Sequence, residues 1–238
     1  MAQPAIPYPA STVVLLRPGV NDGFEIYMNR RPDEMDTYAG VYVFPGGRVE
    51  KNDWSEEMIG LTRGLTPVEA RAALASELQP ELCLGHWVAA VRELFEEVGI
   101  HFFVPKNDAT SNFEQKLSAW LAEKRSTLQR GEIDFPTLLS SQGLCCNLAS
   151  LAYFYHRVTP EHYPVRFDTR FYLAALPPNQ SPLHASEEVS ESLWISPKDA
   201  LARVETGKFP MMPPTLTVLR NLSGHQSWPT LRAAFNLR

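Results

Sequence analysis

The chain has 238 residues, of which 44% are hydrophobic and 21% charged, a composition typical of a globular protein with a sizeable core. Its 27 acidic residues outnumber its 22 basic residues, and the formal net charge of −5 argues against a general nucleic-acid coat or a polybasic membrane patch. We find no apolar run near the ~20 residues of a spanning helix, no signal-peptide pattern and only three cysteines, so we expect a soluble, cytoplasmic protein.

The first fifth of the chain predicts short strands separated by turns. Residues 11–17 and 24–30 are rich in β-branched and aromatic side chains, and a loop with Pro-Gly and Asp-Gly turns separates them, as in a hairpin. Residues 41–44 predict a third strand, which Pro45-Gly46-Gly47 ends.

Helices and strands are interleaved in the rest of the chain. Helices are predicted over 66–78, 84–98, 112–130, 196–206 and 213–222, the last of the chain, and strands over 151–155 and 167–176. Such interleaving predicts a mixed α/β (α+β) protein.

The helix over 84–98 carries an unusual concentration of charge near its C-terminus. At about 100° per residue, Glu93, Glu96 and Glu97 share an arc of roughly 100°. Like charges at this spacing repel each other and oppose the helix dipole, and a divalent cation with hard oxygen ligands would relieve the repulsion. A solvated acidic face is the alternative interpretation of the charge pattern alone.

The residues around this helix resemble the Nudix box, G-x5-E-x7-R-E-U-x-E-E-x-G-U, where U is a bulky aliphatic residue. The segment Arg92–Ile100 matches at every specified position, while Gly47 and Asp53 resemble the first half, with Asp where the family usually has Glu. Between Asp53 and Arg92 lie 38 residues instead of seven. With this long insert the chain resembles the Nudix branch that includes the peroxisomal coenzyme A diphosphatases of animals, which carries a long helical insert at the same place.

The resemblance implies a Nudix fold, a mixed β-sheet sandwiched between helices. We expect one domain over 1–238, with the box split into 47–53 and 92–100. A helical insert at about 54–84 would separate the two parts, and a second helical excursion would cover about 110–145.

The resemblance also implies an enzyme, a Nudix-type diphosphatase that uses Mg²⁺ or Mn²⁺. Its leading substrate is coenzyme A or an acyl-coenzyme A, cleaved to 3′,5′-ADP and (acyl-)4′-phosphopantetheine. The alternatives are ADP-ribose or another nucleotide conjugate as substrate, and a non-catalytic module that senses a nucleotide. The expected partner is this small molecule, with no nucleic acid and no membrane, and a homodimer is left open.

Roles for the box residues follow from the resemblance. Glu96 and Glu97 would be the main metal ligands, and Glu93 a further ligand or the general base. Arg92 would brace the carboxylates by a charge-assisted pair. The carbonyl of Gly46 would be an additional ligand. The role of Asp53 stays open, because the insert begins directly after it and its short side chain can face solvent.

Outside the box, candidate residues are less closely defined. Arg30, Arg31 and Arg166 are candidates for binding the anionic substrate, since guanidinium groups suit phosphates. Glu187 and Glu188 are candidates for an extra base or metal ligand, with surface acids as the alternative.

Overall fold

The computed structural model describes residues 4–35, 38–107, 113–183 and 189–237. Within these ranges the strands are β1 (Tyr8–Pro18), β2 (Phe24–Arg30), β3 (Tyr42–Val43), β4 (Gly46–Arg48), β5 (Thr62–Arg63), β6 (Phe103–Pro105), β7 (Leu144–Asn147), β8 (Leu151–Val158), β9 (Phe167–Ala175) and β10 (Glu191–Ile195). The helices are α1 (Glu56–Ile59), α2 (Pro67–Leu74), α3 (Pro80–Val98), α4 (Phe113–Gln129), α5 (Phe135–Ser141), α6 (Pro197–Glu205), α7 (Pro213–Ser223) and α8 (Trp228–Phe235).

A mixed sheet forms the centre of the fold. Its strands lie in the order β10-β2-β1-β9-β8, with β3 paired to β2 and β4 paired to β1. The pairing of β1 with β9 is parallel, whereas β1 pairs antiparallel with β2 and β4. The predicted mixed α+β class is therefore confirmed.

Successive side chains of β1 point to opposite faces of the sheet, and both faces are buried. Val13 and Leu15 point into a core that includes α3, while Val14 and Leu16 point into a second core with α6, α7 and α8. Helices thus cover both faces of the sheet, which explains why β1 is apolar at consecutive positions.

A smaller sheet, with the strand order β5-β7-β6, was not predicted. Its strands have two to four residues each, too few to show an alternating pattern. Because β5 lies within the predicted helical insert, that segment is not purely helical: it contains α1, β5, α2 and the first turn of α3.

Several helix boundaries differ from the sequence-based prediction for identifiable reasons. Helix α2 ends at Leu74 rather than residue 78, because Ala75 adopts the left-handed conformation. Helix α3 begins earlier than predicted, with Pro80 in its first turn, where proline costs no hydrogen bond. The expectation that 213–222 is the last helix was wrong, since Ser227 caps a further helix, α8.

In the ranges that the structure describes, we find no helix of the length and apolarity needed to cross a membrane.

Candidate active site

Helix α3 positions the acidic residues because its opposite face is buried. Trp87, Val91, Leu94 and Val98 lie in the core against the sheet, as their helical spacing predicts. The helix ends where Gly99 adopts the left-handed conformation that glycine tolerates best. The carboxylates of the last two turns are thereby fixed on a rigid element at the domain surface.

Arg92 lies at the centre of the charged cluster and is nearly fully buried. Its Nη1 donates to the Glu93 carboxylate at 2.9 Å and to the Glu96 carboxylate at 3.3 Å. Its Nη2 donates to the backbone carbonyl of Arg48 at 2.9 Å. Burial alone would lower the pKa of Arg92, but the neighbouring carboxylates raise it above its usual value. The guanidinium thus makes the contacts of a brace for Glu93 and Glu96.

Asp53 completes this brace, contrary to the interpretation that it can face solvent. Its side chain is 1% exposed and pairs with Arg92, Nε to Oδ1 at 2.9 Å and Nη2 to Oδ2 at 3.0 Å. The second oxygen also accepts from the backbone N–H of Glu50 at 2.8 Å, which holds the carboxylate in a tight turn. A shorter acid fits because the turn before α1 brings Asp53 directly onto α3.

The two glycines that begin β4, called here the glycine loop, approach the same helix. The backbone N–H of Gly46 donates to Glu97 Oε2 at 3.4 Å. A side chain at Gly47 would collide with the Glu93 carboxylate, and one at Gly46 would collide with the backbone of β1. Close approach therefore requires glycine at position 46, whereas at position 47 glycine leaves room for the Glu93 carboxylate where it now lies. The structure brings Gly46, Gly47 and the three carboxylates of α3 together.

The environment changes the proton affinity of the carboxylates. Burial, with the negative charge of Glu96, raises the pKa of Glu93 to about 7, against the lowering effect of Arg92. Burial also raises the pKa of Glu96. Glu93 is thus a carboxyl group that can exchange a proton near neutral pH.

The donor set at this site fits a hard divalent cation by its chemistry. Glu93, Glu96 and Glu97 offer carboxylate oxygens, which Mg²⁺ and Mn²⁺ prefer. Burial, with the negative charge of Glu96, raises the pKa of Glu93, so the ionised form of Glu93 would gain from added positive charge nearby. Among the described residues, no three acidic, histidine or cysteine side chains already form a metal-ligating group. All three carboxylates could therefore hold one ion only after side-chain rotation.

The three candidate substrate-binding arginines differ in their surroundings. Arg30 forms an ion pair with Asp33 at 2.6 Å. Arg166 donates to the backbone carbonyls of Thr159 and Ala5, which ties it to the start of β1. Arg31 Nε is buried and has no hydrogen-bond partner within the described part of the chain. Arg31 is thus the candidate with an unused donor.

The remaining candidates lie outside the site or outside the described residues. Glu187 and Glu188 fall in 184–188, which is not described. Arg170, a further arginine of β9, pairs with Asp168 at 2.8 Å within the sheet.

Sequence reasoning missed Arg125 of α4, which contacts the backbone of the last turn of α3. A single arginine within a helix carries no motif, and only the packing of α4 on α3 identifies it.

A family model for the NUDT19 Nudix domain matches residues 7–222 of the chain. Acyl-coenzyme A diphosphatase NUDT19 of Xenopus laevis is 25% identical over 230 residues, covering 84% of this chain and 60% of the relative. Putative nudix hydrolase 7 of Caenorhabditis elegans is 30% identical over 207 residues, covering 85% and 57%. The chain therefore spans about three fifths of the length of these relatives.

A solved structure extends the similarity to the three-dimensional fold. The crystal structure of a NUDIX hydrolase from Alicyclobacillus acidocaldarius superposes with a TM-score of 0.69 at 26% identity, and the match covers 96% of each chain. The sequence motif, the arrangement of the box on α3 and these similarities agree, and the chain belongs to the NUDT19 Nudix domain family.

Proposed function

We propose that this protein hydrolyses the diphosphate bond of coenzyme A or an acyl-coenzyme A, with Mg²⁺ or Mn²⁺, to 3′,5′-ADP and (acyl-)4′-phosphopantetheine. The observation that carries the proposal is that Glu93 and Glu97 contact the Gly46-Gly47 pair and share α3 with Glu96, in a chain that matches the NUDT19 Nudix domain over 7–222. The frog relative, and a chicken relative 28% identical to this chain, are named acyl-coenzyme A diphosphatases, which supports the choice of substrate.

The chemistry of the site suits this reaction. A diphosphate carries concentrated negative charge, and attack by water adds more in the transition state. A divalent cation, when bound by Glu93, Glu96 and Glu97, supplies charge neutralisation and a water of lowered pKa. Glu93 is either a further ligand of that cation or the general base that accepts a proton from the attacking water. Arg92 holds Glu93 and Glu96 in place, and Asp53 holds Arg92.

Selection of coenzyme A requires a cation for the phosphate on its ribose, and Arg31 is our candidate. Its Nε is buried without a partner in the described ranges, whereas Arg30 is occupied by Asp33. The backbone N–H of Arg31 donates to the Val41 carbonyl at 3.0 Å, and the segment from there to Gly46 leads directly to the carboxylates. A charge-assisted contact to that phosphate is worth roughly 1.5–3 kcal/mol, or about ten- to a hundredfold in selectivity.

The test is hydrolysis of a panel of diphosphates, with the products identified by mass. The panel contains coenzyme A, an acyl-coenzyme A, dephospho-coenzyme A and ADP-ribose, each with Mg²⁺, with Mn²⁺ and with EDTA. We expect cleavage of the coenzyme A compounds only with metal, a preference for coenzyme A over its dephospho form, and loss of that preference in Arg31→Ala but not in the control Arg17→Ala. Rapid cleavage of ADP-ribose alone would replace the substrate, and binding without any cleavage would indicate a sensor.

The compartment and the oligomeric state stay predictions of the sequence. We propose a cytoplasmic location and leave a homodimer open. Imaging of a tagged full-length protein and light scattering of the purified chain measure the two properties separately.

A further inference from the structure

The last turn of α3 is held by a residue from a different helix. The final carbonyls of any α-helix have no partner within the helix and need one from outside. Arg125 of α4 donates from Nε to the Phe95 carbonyl at 3.1 Å and to the Glu96 carbonyl at 2.7 Å, and from Nη2 to the Glu97 carbonyl at 2.7 Å. Arg125, which is 7% exposed, therefore contacts three successive carbonyls, of which that of Phe95 also accepts from the Gly99 N–H.

A second side chain of α4 reinforces this contact. Gln129, one helical turn after Arg125, donates from Nε2 to the Glu96 carbonyl at 2.6 Å. The two residues lie at i and i+4 and so project from the same face of α4. The second helical excursion of the chain is thus attached to α3 at the residues that carry the site.

The contact also offsets unfavourable electrostatics at the C-terminus of α3. The C-terminus of a helix carries partial negative charge, which disfavours acidic side chains and favours cations. The last turn of α3 contains no basic residue of its own, and Glu96 and Glu97 both lie there. Arg125 supplies positive charge from α4 at the backbone of these two glutamates.

We infer that Arg125 is a positioning residue: it fixes the backbone of Glu96 and Glu97 so that the Glu97 carboxylate stays beside Gly46, the Glu96 carboxylate stays beside Arg92, and the two together bind a divalent cation. The inference rests on the proposed function, in which these carboxylates are metal ligands. It goes beyond the box itself, since Arg125 lies 25 residues after Ile100 and belongs to no part of the motif. The guanidinium is needed because its planar fork reaches several carbonyls at once, which a lysine ammonium does not reproduce.

The experiment measures Mn²⁺ binding by electron paramagnetic resonance and amide hydrogen exchange over residues 93–100, both on substrate-free protein. The variants are Arg125→Met, Arg125→Lys and the matched control Arg130→Met, which removes an exposed arginine of the same region that pairs with Glu132. Glu97→Gln reports whether the bound ion is at this site. Circular dichroism and Tm establish that each variant is folded.

We expect Arg125→Met to weaken Mn²⁺ binding about 10–100-fold, the range for residues that orient metal ligands, with faster exchange confined to residues 93–100. Arg125→Lys should recover part of the affinity, and Arg130→Met should match the wild type. If Arg125→Met does not fold, Arg125→Lys decides the question by its affinity relative to the control.

Two results would overturn the inference in distinguishable ways. Wild-type Mn²⁺ affinity in a folded Arg125 variant would show that the contact is only structural, while leaving the proposed function intact. Absence of Mn²⁺ binding in the wild type, or binding that Glu97→Gln does not change, would overturn the proposed metal site and the positioning role with it.

Discussion

The buried carboxylate of Asp53 and the guanidinium of Arg92 form two parallel hydrogen bonds, 2.9 and 3.0 Å long, although residues 54–91 separate them in the chain. The pair joins the two parts of the split box and leaves Arg92 Nη1 directed at Glu93 and Glu96. Closing a long loop adds little entropic cost beyond that of a short one, so an insert that folds and packs on the domain is compatible with this pairing. The position of the carboxylates thus depends on a residue before the insert.

Replacing Asp53 should destabilise the protein strongly. Asp53→Asn removes the charge that compensates buried Arg92, and breaking one partner of a buried pair costs about 3 kcal/mol or more. For a domain of this size the loss lowers Tm by roughly 6–12 °C. The control is Asp33→Asn, which removes an ion pair whose Asp33 side chain is 66% exposed and should cost no more than about 1 kcal/mol. Equal Tm changes in thermal unfolding of the two variants would show that Asp53 does not stabilise the buried cluster.

The two loop glycines should respond differently to a methyl group. In Gly46→Ala the new Cβ meets rigid backbone of β1, which should cost about 2–3 kcal/mol in stability. In Gly47→Ala it meets the Glu93 carboxylate, the end of a side chain that can rotate away. We therefore expect Gly47→Ala to stay within about 1 kcal/mol of the wild type in urea unfolding, yet to lose roughly a hundredfold in kcat because Glu93 is displaced. A Gly47→Ala variant with normal kcat would argue against a role for Glu93 at its present position.

Sequence patterns predicted the features of the site that are local. The helical spacing of the apolar residues determines which side of α3 is buried, and with it the side on which Glu93, Glu96 and Glu97 lie. The mixed α+β class likewise followed from the interleaving of helices and strands, whereas the mixed sheet followed from the resemblance to the Nudix family. These features depend on periodicity within single elements, which a sequence contains directly.

Features that depend on contacts between distant segments could not be predicted. The burial of Asp53 requires a turn to pack on a helix across the whole insert, and the role of Arg125 requires α4 to dock at the end of α3. Arg166 was predicted to bind substrate, but it donates to the Ala5 carbonyl because the segment before β1 lies beside it, and a sequence does not show that contact. From residue type alone, a surface position is equally expected for Asp53, Arg125 and Arg166.

Buried His86 should make the protein sensitive to acid. Burial, with the positive charge of Arg170, lowers the pKa of His86 from 6.5 to about 3. His86 therefore binds a proton below about pH 6.5 in the unfolded chain, but only below about pH 3 in the folded protein. Stability falls as the pH falls from about 6.5 to about 3, and His86 does not affect it above this window. At pH 5 the loss amounts to about 2 kcal/mol.

Urea unfolding at pH 5 and pH 7.5 measures this effect. We expect the difference in unfolding free energy between the two pH values to be about 2 kcal/mol smaller in His86→Gln than in the wild type, because glutamine does not titrate. The exposed His162 is the matched control, and His162→Gln should behave as the wild type. An unchanged pH dependence in His86→Gln would contradict the assignment of the acid sensitivity to this residue.

Turnover of coenzyme A by Glu97→Gln at saturating Mg²⁺ tests the proposed metal site and the proposed hydrolysis in one assay. Losing a charged metal ligand removes stabilisation that is greatest in the transition state, and each tenfold loss in rate corresponds to about 1.4 kcal/mol. Glu81→Gln, at an exposed position of the first turn of the same helix, is the control. The account predicts that Glu97→Gln keeps its Tm, that its kcat falls by roughly three orders of magnitude or more, and that Glu81→Gln is unaffected. Near-normal turnover by Glu97→Gln would contradict it.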